Sequence, residues 1–348
     1  MSEKKLLNKL SSQLSNLVVF SKNTIIYFEP NIRFYYYSKQ IKGTASIDSF
    51  KKDRSNEQVN FEKISQQKLS NYLLNFVNTL SKQLPAEDLN VMNHNINNLK
   101  IIQNGISSLA LKCCGISQVY SNSLNTIVSN TSNDKTSDIY HELFHMASSE
   151  KSDDKNKVYS GFSQEDSQSK EIGRGLTEGY TELLRERYFP QDKYYFSNSY
   201  KYVLTYAQRI EQIVGKEKMT SLYLNHNLSG LIAELEKYSS KDEILSFINN
   251  TDYIILDRVG NFTGAIGREK YIKSNFSKTN DFLISTYANK VSQEDISQED
   301  KIAKVNYYKD SLNDSQKNIN YRYEYIDKNK DYTANLTKEN DINKGRTL

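Results

Sequence analysis

One short run of this chain combines residue types and a spacing that suit a metal ion: His141-Glu142-Leu143-Phe144-His145. Histidines at positions i and i+4 project from one face of a helix, one turn apart, so both imidazoles can reach the same ion. A glutamate directly after the first histidine can take a proton from a water molecule that the ion polarises. The chain has only 4 histidines in 348 residues, so a chance match is rare. We predict one Zn²⁺ per chain, held in part by His141 and His145, with Glu142 as the general base.

The residues around this motif favour a half-buried helix. Ile139, Leu143 and Met146 recur at the spacing of a helix face that turns towards the core. His141 and His145 fall on another side of the same helix. We therefore expect the polar face of this helix to line a cleft.

A catalytic zinc ion is held by three protein ligands and keeps one open position for water. Residues 176–182, of sequence LTEGYTE, resemble the L-x-E-G-x-x-E segment of the gluzincins. These are metallopeptidases whose third ligand is a glutamate on a second helix, and the thermolysin-like and aminopeptidase-N-like enzymes belong to them. The resemblance implies that Glu178 is the third zinc ligand. The stretch from His145 to Glu178 is longer than in those enzymes, which implies an inserted loop.

Glu182 follows Glu178 by four residues, so the two side chains share one helix face. A histidine that binds a metal usually donates its other N–H to a carboxylate, and thermolysin-like enzymes place an acid at this offset. We interpret Glu182 as such a partner, most simply of His141. The alternative is an ordinary helix charge that faces Arg185 or Arg187.

The resemblance also implies the reaction, which is peptide-bond hydrolysis by a metal-activated water. Glu142 would take the proton of the water and pass it to the leaving amine. The substrate would be a peptide or a protein. A further donor should stabilise the oxyanion, and in gluzincins this is a tyrosine or a histidine of the C-terminal lobe. His226 and the many tyrosines are candidates for that role.

The elements around the two motifs indicate the fold class. Residues 115–120 and 125–128 predict a hairpin just before the His141 helix, and residues 99–102 predict a further strand. From residue 200 onward, apolar residues at helical spacing predict a series of helices. We expect an α+β, zincin-like fold with a small mixed sheet beside the active-site helix and a mainly helical C-terminal lobe. In such folds an edge strand pairs with an extended peptide substrate.

Changes in composition divide the chain into three predicted regions. Residues 1–60 form an accessory region, and residues 61–290 form the zincin-like domain. Residues 291–348 are polar and repetitive, so we expect a poorly ordered tail. Within the domain, residues 149–171 are rich in serine and charged residues and predict a mobile loop over the cleft.

Composition excludes two classes of partner. The chain has 46 basic and 42 acidic residues, a net charge of +4, which is too balanced to favour a nucleic-acid partner. It contains no run of 18 apolar residues, so stable membrane insertion is not expected. Two adjacent cysteines, Cys113 and Cys114, and the lack of a recognisable signal peptide favour a cytoplasmic location.

Two other interpretations of the same motifs stay open. The chain could be a non-catalytic module that keeps a zincin fold for binding. It could also be a narrowly specific protease like a toxin light chain, whose ligands are also widely spaced. An intact Glu142 beside both histidines favours an enzyme, because a binding module has no chemical need for that carboxylate. The oligomeric state is open at this point.

Overall fold

The structure is a computed structural model. It describes residues 17–20, 24–28, 34–38, 61–96, 99–103, 118–121, 125–129, 139–151, 158–165, 171–190, 198–259, 265–319, 326 and 330–337. Most of the predicted N-terminal region, residues 1–60, and all of residues 338–348 therefore lie outside the described residues.

Helices dominate the described residues, and short strands form small sheets, so the fold is α+β as predicted. Within the ranges given above, none of the helices has the length and apolar content that a membrane crossing requires. The helices are α1 (Phe61–Gln83), α2 (Asn90–Ile96), α3 (Ile139–Ala147), α4 (Arg174–Tyr188), α5 (Asn198–Val214), α6 (Lys216–Leu224), α7 (Leu228–Leu235), α8 (Lys241–Val259), α9 (Ala265–Ser292), α10 (Gln298–Ile319) and α11 (Ala334–Thr337).

The strands form four sheets of two or three strands each. The strands are β1 (Leu17–Phe20), β2 (Thr24–Phe28), β3 (Phe34–Ser38), β4 (Lys100–Gln103), β5 (Gln118–Ser121), β6 (Thr126–Ser129), β7 (Ser149–Lys151), β8 (Val158–Ser160), β9 (Gln164–Glu165) and β10 (Glu171–Ile172). Strands β1, β2 and β3 form an antiparallel sheet in that order. Strand β6 pairs with β4 in parallel and with β5 antiparallel, so β5 is an edge strand. The hairpin predicted before the His141 helix corresponds to β5 and β6.

The described parts of residues 149–171, namely 149–151, 158–165 and 171, differ from the mobile loop that the composition predicts. Strands β7 and β8 pair antiparallel, and β9 pairs antiparallel with β10. Serines in this segment form hydrogen bonds within the protein. Ser149 Oγ donates to Ser160 Oγ at 2.9 Å, and Gly161 N donates to the Ser148 carbonyl at 3.0 Å.

The chain divides into two compact units. The first comprises Met1–Gly161, Leu184–Tyr195 and Leu224–His226, and the second comprises Phe162–Leu183, Phe196–Tyr223 and Asn227–Leu348. This division differs from the three regions expected from composition.

An aromatic cluster in the first unit fixes the rotation of α3. The ring of Phe144 meets Phe76 edge-on at 4.9 Å, and the ring of Tyr140 stacks on Phe189 at 3.9 Å. Asn75 Nδ2 also donates to the Tyr140 hydroxyl at 2.7 Å. Tyr140 and Phe144 share one helix face, so their burial sets the direction of the next residue on each turn.

The same helix is buried more deeply than its sequence pattern predicts. The residues expected to face the core, Ile139, Leu143 and Met146, are buried, but so are Tyr140 and Phe144. Large aromatic rings on a second face bring further packing partners, because each ring needs a wide apolar surface around it.

Helix α10 corrects the prediction of a poorly ordered tail for residues 298–319. Val305, Tyr308, Leu312 and Gln316 are buried at helical spacing, and the helix packs against α5 and α9. The amides of Gln316 and Asn280 bond to each other in both directions, at 2.7 and 3.0 Å. The composition did not predict this buried stripe because two of its four residues are tyrosine and glutamine. Hydrogen bonds offset the cost of burying the glutamine amide.

We expect Leu312→Ala to lower the free energy of unfolding by about 2–5 kcal/mol, since it removes a fully buried side chain and leaves a cavity. Chemical denaturation followed by circular dichroism would measure the change. Tyr307→Ala is the matched control on the same helix, because Tyr307 is 77% exposed. Equal and small effects of the two substitutions would contradict the packing described for α10.

Candidate metal centre

Helix α3 brings its two histidines together one turn apart on one face. His141 is buried and His145 is half-buried, and their Nε2 atoms lie 3.1 Å apart. Two neutral imidazole nitrogens that both present lone pairs repel each other at this distance, so a proton or a cation must be shared between them. The arrangement therefore suits a metal ion that binds both Nε2 atoms.

Glu178 on α4 completes a group of three candidate ligands. One ligand atom from each of His141, His145 and Glu178 lies within 4.8 Å of the others. Zinc bonds to histidine nitrogen and carboxylate oxygen are about 2.0–2.2 Å long, so two tetrahedral ligands lie about 3.3 Å apart. The separation of the two Nε2 atoms is close to that value, and the donor set of two nitrogens and one oxygen leaves a fourth position open. The three residues could therefore hold a metal ion.

Glu142 is held by the backbone of the edge strand β5. Its Oε2 accepts the N–H of Tyr120 at 2.6 Å, in a buried hydrogen bond. Tyr120 lies opposite Ile127 of β6, but its N–H points to Glu142, so this side of the residue faces away from the sheet. One carboxylate oxygen is thereby fixed in position, and the carboxylate is oriented by a group that cannot be removed by a side-chain substitution.

Two asparagines tie the end of α3 to the same strand. Asn95 Nδ2 donates to the carbonyls of Met146 and Ser149, at 2.8 and 2.5 Å. Asn125 Nδ2 donates to the Asn95 carbonyl at 2.7 Å and accepts from the Tyr120 hydroxyl at 2.9 Å. Asn125 has a φ of 47°, a left-handed conformation that asparagine tolerates better than most residues. Sequence reasoning missed both asparagines, although an asparagine just before a strand is a known turn signal.

Arg174 places a positive charge beside the third candidate ligand. Its guanidinium lies 3.8 Å from Glu178 Oε1 and 3.8 Å from Glu171 Oε2. Burial lowers the pKa of Arg174, but the charges of Glu171 and Glu178 outweigh this effect and the pKa is raised. The guanidinium therefore remains charged and offsets part of the negative charge around Glu178.

Glu182 lies one turn after Glu178 on α4 and is 1% exposed. This burial excludes a solvated helix charge, and the alternative of a salt bridge to Arg185 or Arg187 stays open. An ionised carboxylate at such depth needs a charged or hydrogen-bonding partner. Its role as the partner of His141 stays a prediction.

The structure places His226 beside Glu150 and outside the group of three ligands found among the described residues. His226 Nε2 and Glu150 Oε2 are 2.7 Å apart, and the ring of His226 stacks on Tyr159. Burial lowers the pKa of His226, and the charge of Glu150 opposes this. Its expected role as an oxyanion stabiliser stays a prediction, and these contacts give it no support.

Comparison of the chain with protein-family models, with curated proteins and with solved structures finds no match.

We expect the purified protein to bind one Zn²⁺ per chain at the group of His141, His145 and Glu178. His141→Ala and His145→Ala should abolish this binding, and Glu178→Ala should weaken it severely, because each removes a donor atom. Inductively coupled plasma mass spectrometry after dialysis would give the stoichiometry. His94→Ala is the control, since His94 is exposed and on α2. Full zinc occupancy in the Glu178 variant would move the third ligand to another residue.

Proposed function

We propose that this protein is a zinc-dependent peptidase of the gluzincin type, with a zincin-like arrangement of its active-site helix. The observation that carries the proposal is the grouping of His141, His145 and Glu178 together with Glu142, which is fixed by an edge strand. Two imidazoles and a carboxylate with an open position suit zinc. The same donor set holds iron(II) in non-haem oxygenases, but those sites lack a glutamate directly after the first ligand, so Glu142 favours zinc.

A bound zinc ion would supply Lewis acidity, which lowers the pKa of water and polarises a carbonyl group. His141, His145 and Glu178 would hold it. Arg174 would offset part of the negative charge of the ligand set.

Glu142 would act as the general base. The Tyr120 N–H engages its Oε2 and so orients the carboxylate, which would accept a proton from the attacking water. The same carboxyl group would then donate that proton to the nitrogen of the leaving amine. A fixed carboxylate favours this transfer, because it loses little conformational freedom on reaching the reactive geometry.

The substrate would be an extended peptide that pairs with the backbone of β5, the last strand of its sheet. The N–H and C=O of one strand residue point to the same side, so the Tyr120 carbonyl faces the same way as its N–H. That carbonyl could accept an N–H from the peptide close to Glu142. Main-chain pairing of this kind is compatible with many side chains, so pockets beyond the strand would set the specificity.

We expect Glu182→Ala to weaken zinc binding by about 10–100-fold while the protein stays folded, the usual effect of losing a carboxylate that orients a metal-bound histidine. Competition with a chromophoric chelator would measure the affinity. Glu186→Ala on the same helix is the control, because Glu186 is exposed. An affinity equal to that of the wild type would remove Glu182 from the metal centre.

We expect Glu142→Gln to retain zinc and fold but to lower peptide hydrolysis by about 10²–10⁴-fold, the usual contribution of a general base. The glutamine oxygen can still accept the Tyr120 N–H, but the side chain cannot take a proton from water. The assay would use a peptide selected by cleavage of a library with the wild type, and zinc would be measured on the same samples.

Glu87→Gln is the matched control. It makes the same change from carboxylate to amide at an exposed position of the first unit. A glutamine variant at position 142 that cleaves as fast as the wild type would show that another group is the base. A wild type that carries zinc and cleaves no peptide in the library would favour the non-catalytic binding module.

A further inference from the structure

We propose that Asp252 is a positioning residue of the metal centre, which acts by fixing the first turn of α4 and through it Glu178. The inference rests on the proposed function, because it assumes that Glu178 binds the metal. Asp252 lies on α8, 77 residues after Gly175, and no motif in the sequence points to it.

Helix α4 begins without a side chain to cap it. The Gly173 carbonyl accepts the N–H of Thr177 at 3.0 Å, so Gly173 is the residue that starts the helix. The first N–H groups of any helix have no partner inside the helix, and a serine or aspartate at the start usually accepts one of them. Glycine at this position cannot do so.

Asp252, on another helix, supplies acceptors for two of these N–H groups. Its Oδ2 accepts the N–H of Gly173 at 2.8 Å, and its Oδ1 accepts the N–H of Gly175 at 2.7 Å. Both bonds are buried, and a negative charge at a helix N-terminus is also favoured by the helix dipole. A two-oxygen contact restrains the direction of the first turn as well as its distance from α8.

The glycines make this external cap necessary. A Cβ atom on Gly173, whose φ is 83°, would lie 2.0 Å from the Phe162 carbonyl oxygen. A Cβ on Gly175 would lie 2.4 Å from the carbonyl of Thr251. No side chain fits at either position. Because Gly175 has no side chain, the backbone of α8 can approach α4 closely, and the short side chain of Asp252 reaches the amides of both glycines.

The restraint reaches Glu178 by two routes. Glu178 lies one turn beyond the capped amides on the same helix, so a shift of the first turn moves its carboxylate. Arg174, between the two glycines, feels the charges of Glu171, Glu178 and Asp252 together. Loss of the Asp252 charge would therefore draw the guanidinium closer to the two glutamates.

Asp252 is 8% exposed, and burial raises its pKa to about 7, against the two amide hydrogen bonds that lower it. Glu171 raises this pKa further and Arg174 lowers it. The test is therefore made at a pH well above that value, where the carboxylate is ionised.

The experiment compares the Zn²⁺ affinity of the wild type with that of Asp252→Asn by competition with a chromophoric chelator. Asparagine keeps one acceptor oxygen but turns an NH₂ group towards the other backbone amide, so we expect affinity to fall by about 10–100-fold. Asp252→Glu keeps both oxygens one methylene further from the backbone, and its affinity should lie between the two.

Leu312→Ala separates positioning from general stability. It destabilises the same unit through α10, and it should leave the zinc affinity of the folded protein unchanged. The proposal would be overturned if zinc affinity fell in proportion to stability in Leu312→Ala just as it does in the Asp252 variants.

The remaining outcomes are also decisive. Equal affinity in the wild type, Asp252→Asn and Asp252→Glu overturns the positioning role while the zinc site stands. If Asp252→Asn does not fold, the glutamate variant decides alone, and wild-type affinity there overturns the proposal. A wild type that binds no zinc is a failure of the proposed function itself, and the positioning role falls with it.

Discussion

The candidate metal centre depends on the close approach of two imidazole nitrogens on one buried helix. His141 and His145 have Nε2 atoms 3.1 Å apart, a distance that requires a shared proton or cation. Tyr140 and Phe144, one residue earlier on each turn, pack into an aromatic cluster that prevents the helix from rotating. The direction of both histidines therefore follows from burial of their neighbours, and the pair is already in the geometry of a metal site.

Backbone hydrogen bonds position the rest of the centre. The Tyr120 N–H holds Glu142, two asparagines connect the end of α3 to the same strand, and Asp252 caps the helix that carries Glu178. Such bonds are short-range and directional, so they fix a side chain to within a fraction of an ångström where apolar packing alone would not. This is the precision that a metal ion and a general base both need.

The parts of the site that the sequence predicted are those with a local signal. The His141 and His145 pair follows from helix spacing, and the hairpin before it follows from strand and turn patterns. Glu178 required a resemblance to gluzincins. Asn95 and Asp252 could not be predicted, because their partners lie tens of residues away along the chain. Asn125 carried only a turn signal just before a strand. The buried stripe of α10 was missed because it combines tyrosine and glutamine with few aliphatic residues.

X-ray absorption at the zinc edge of the loaded protein tests the central claim most directly, because it reports the atoms bound to the metal without an assay for activity. We expect two imidazole nitrogens and one or two oxygens at about 2.0–2.1 Å, with one imidazole lost in His145→Ala. A spectrum with sulfur at about 2.3 Å, or one that His145→Ala leaves unchanged, would contradict it.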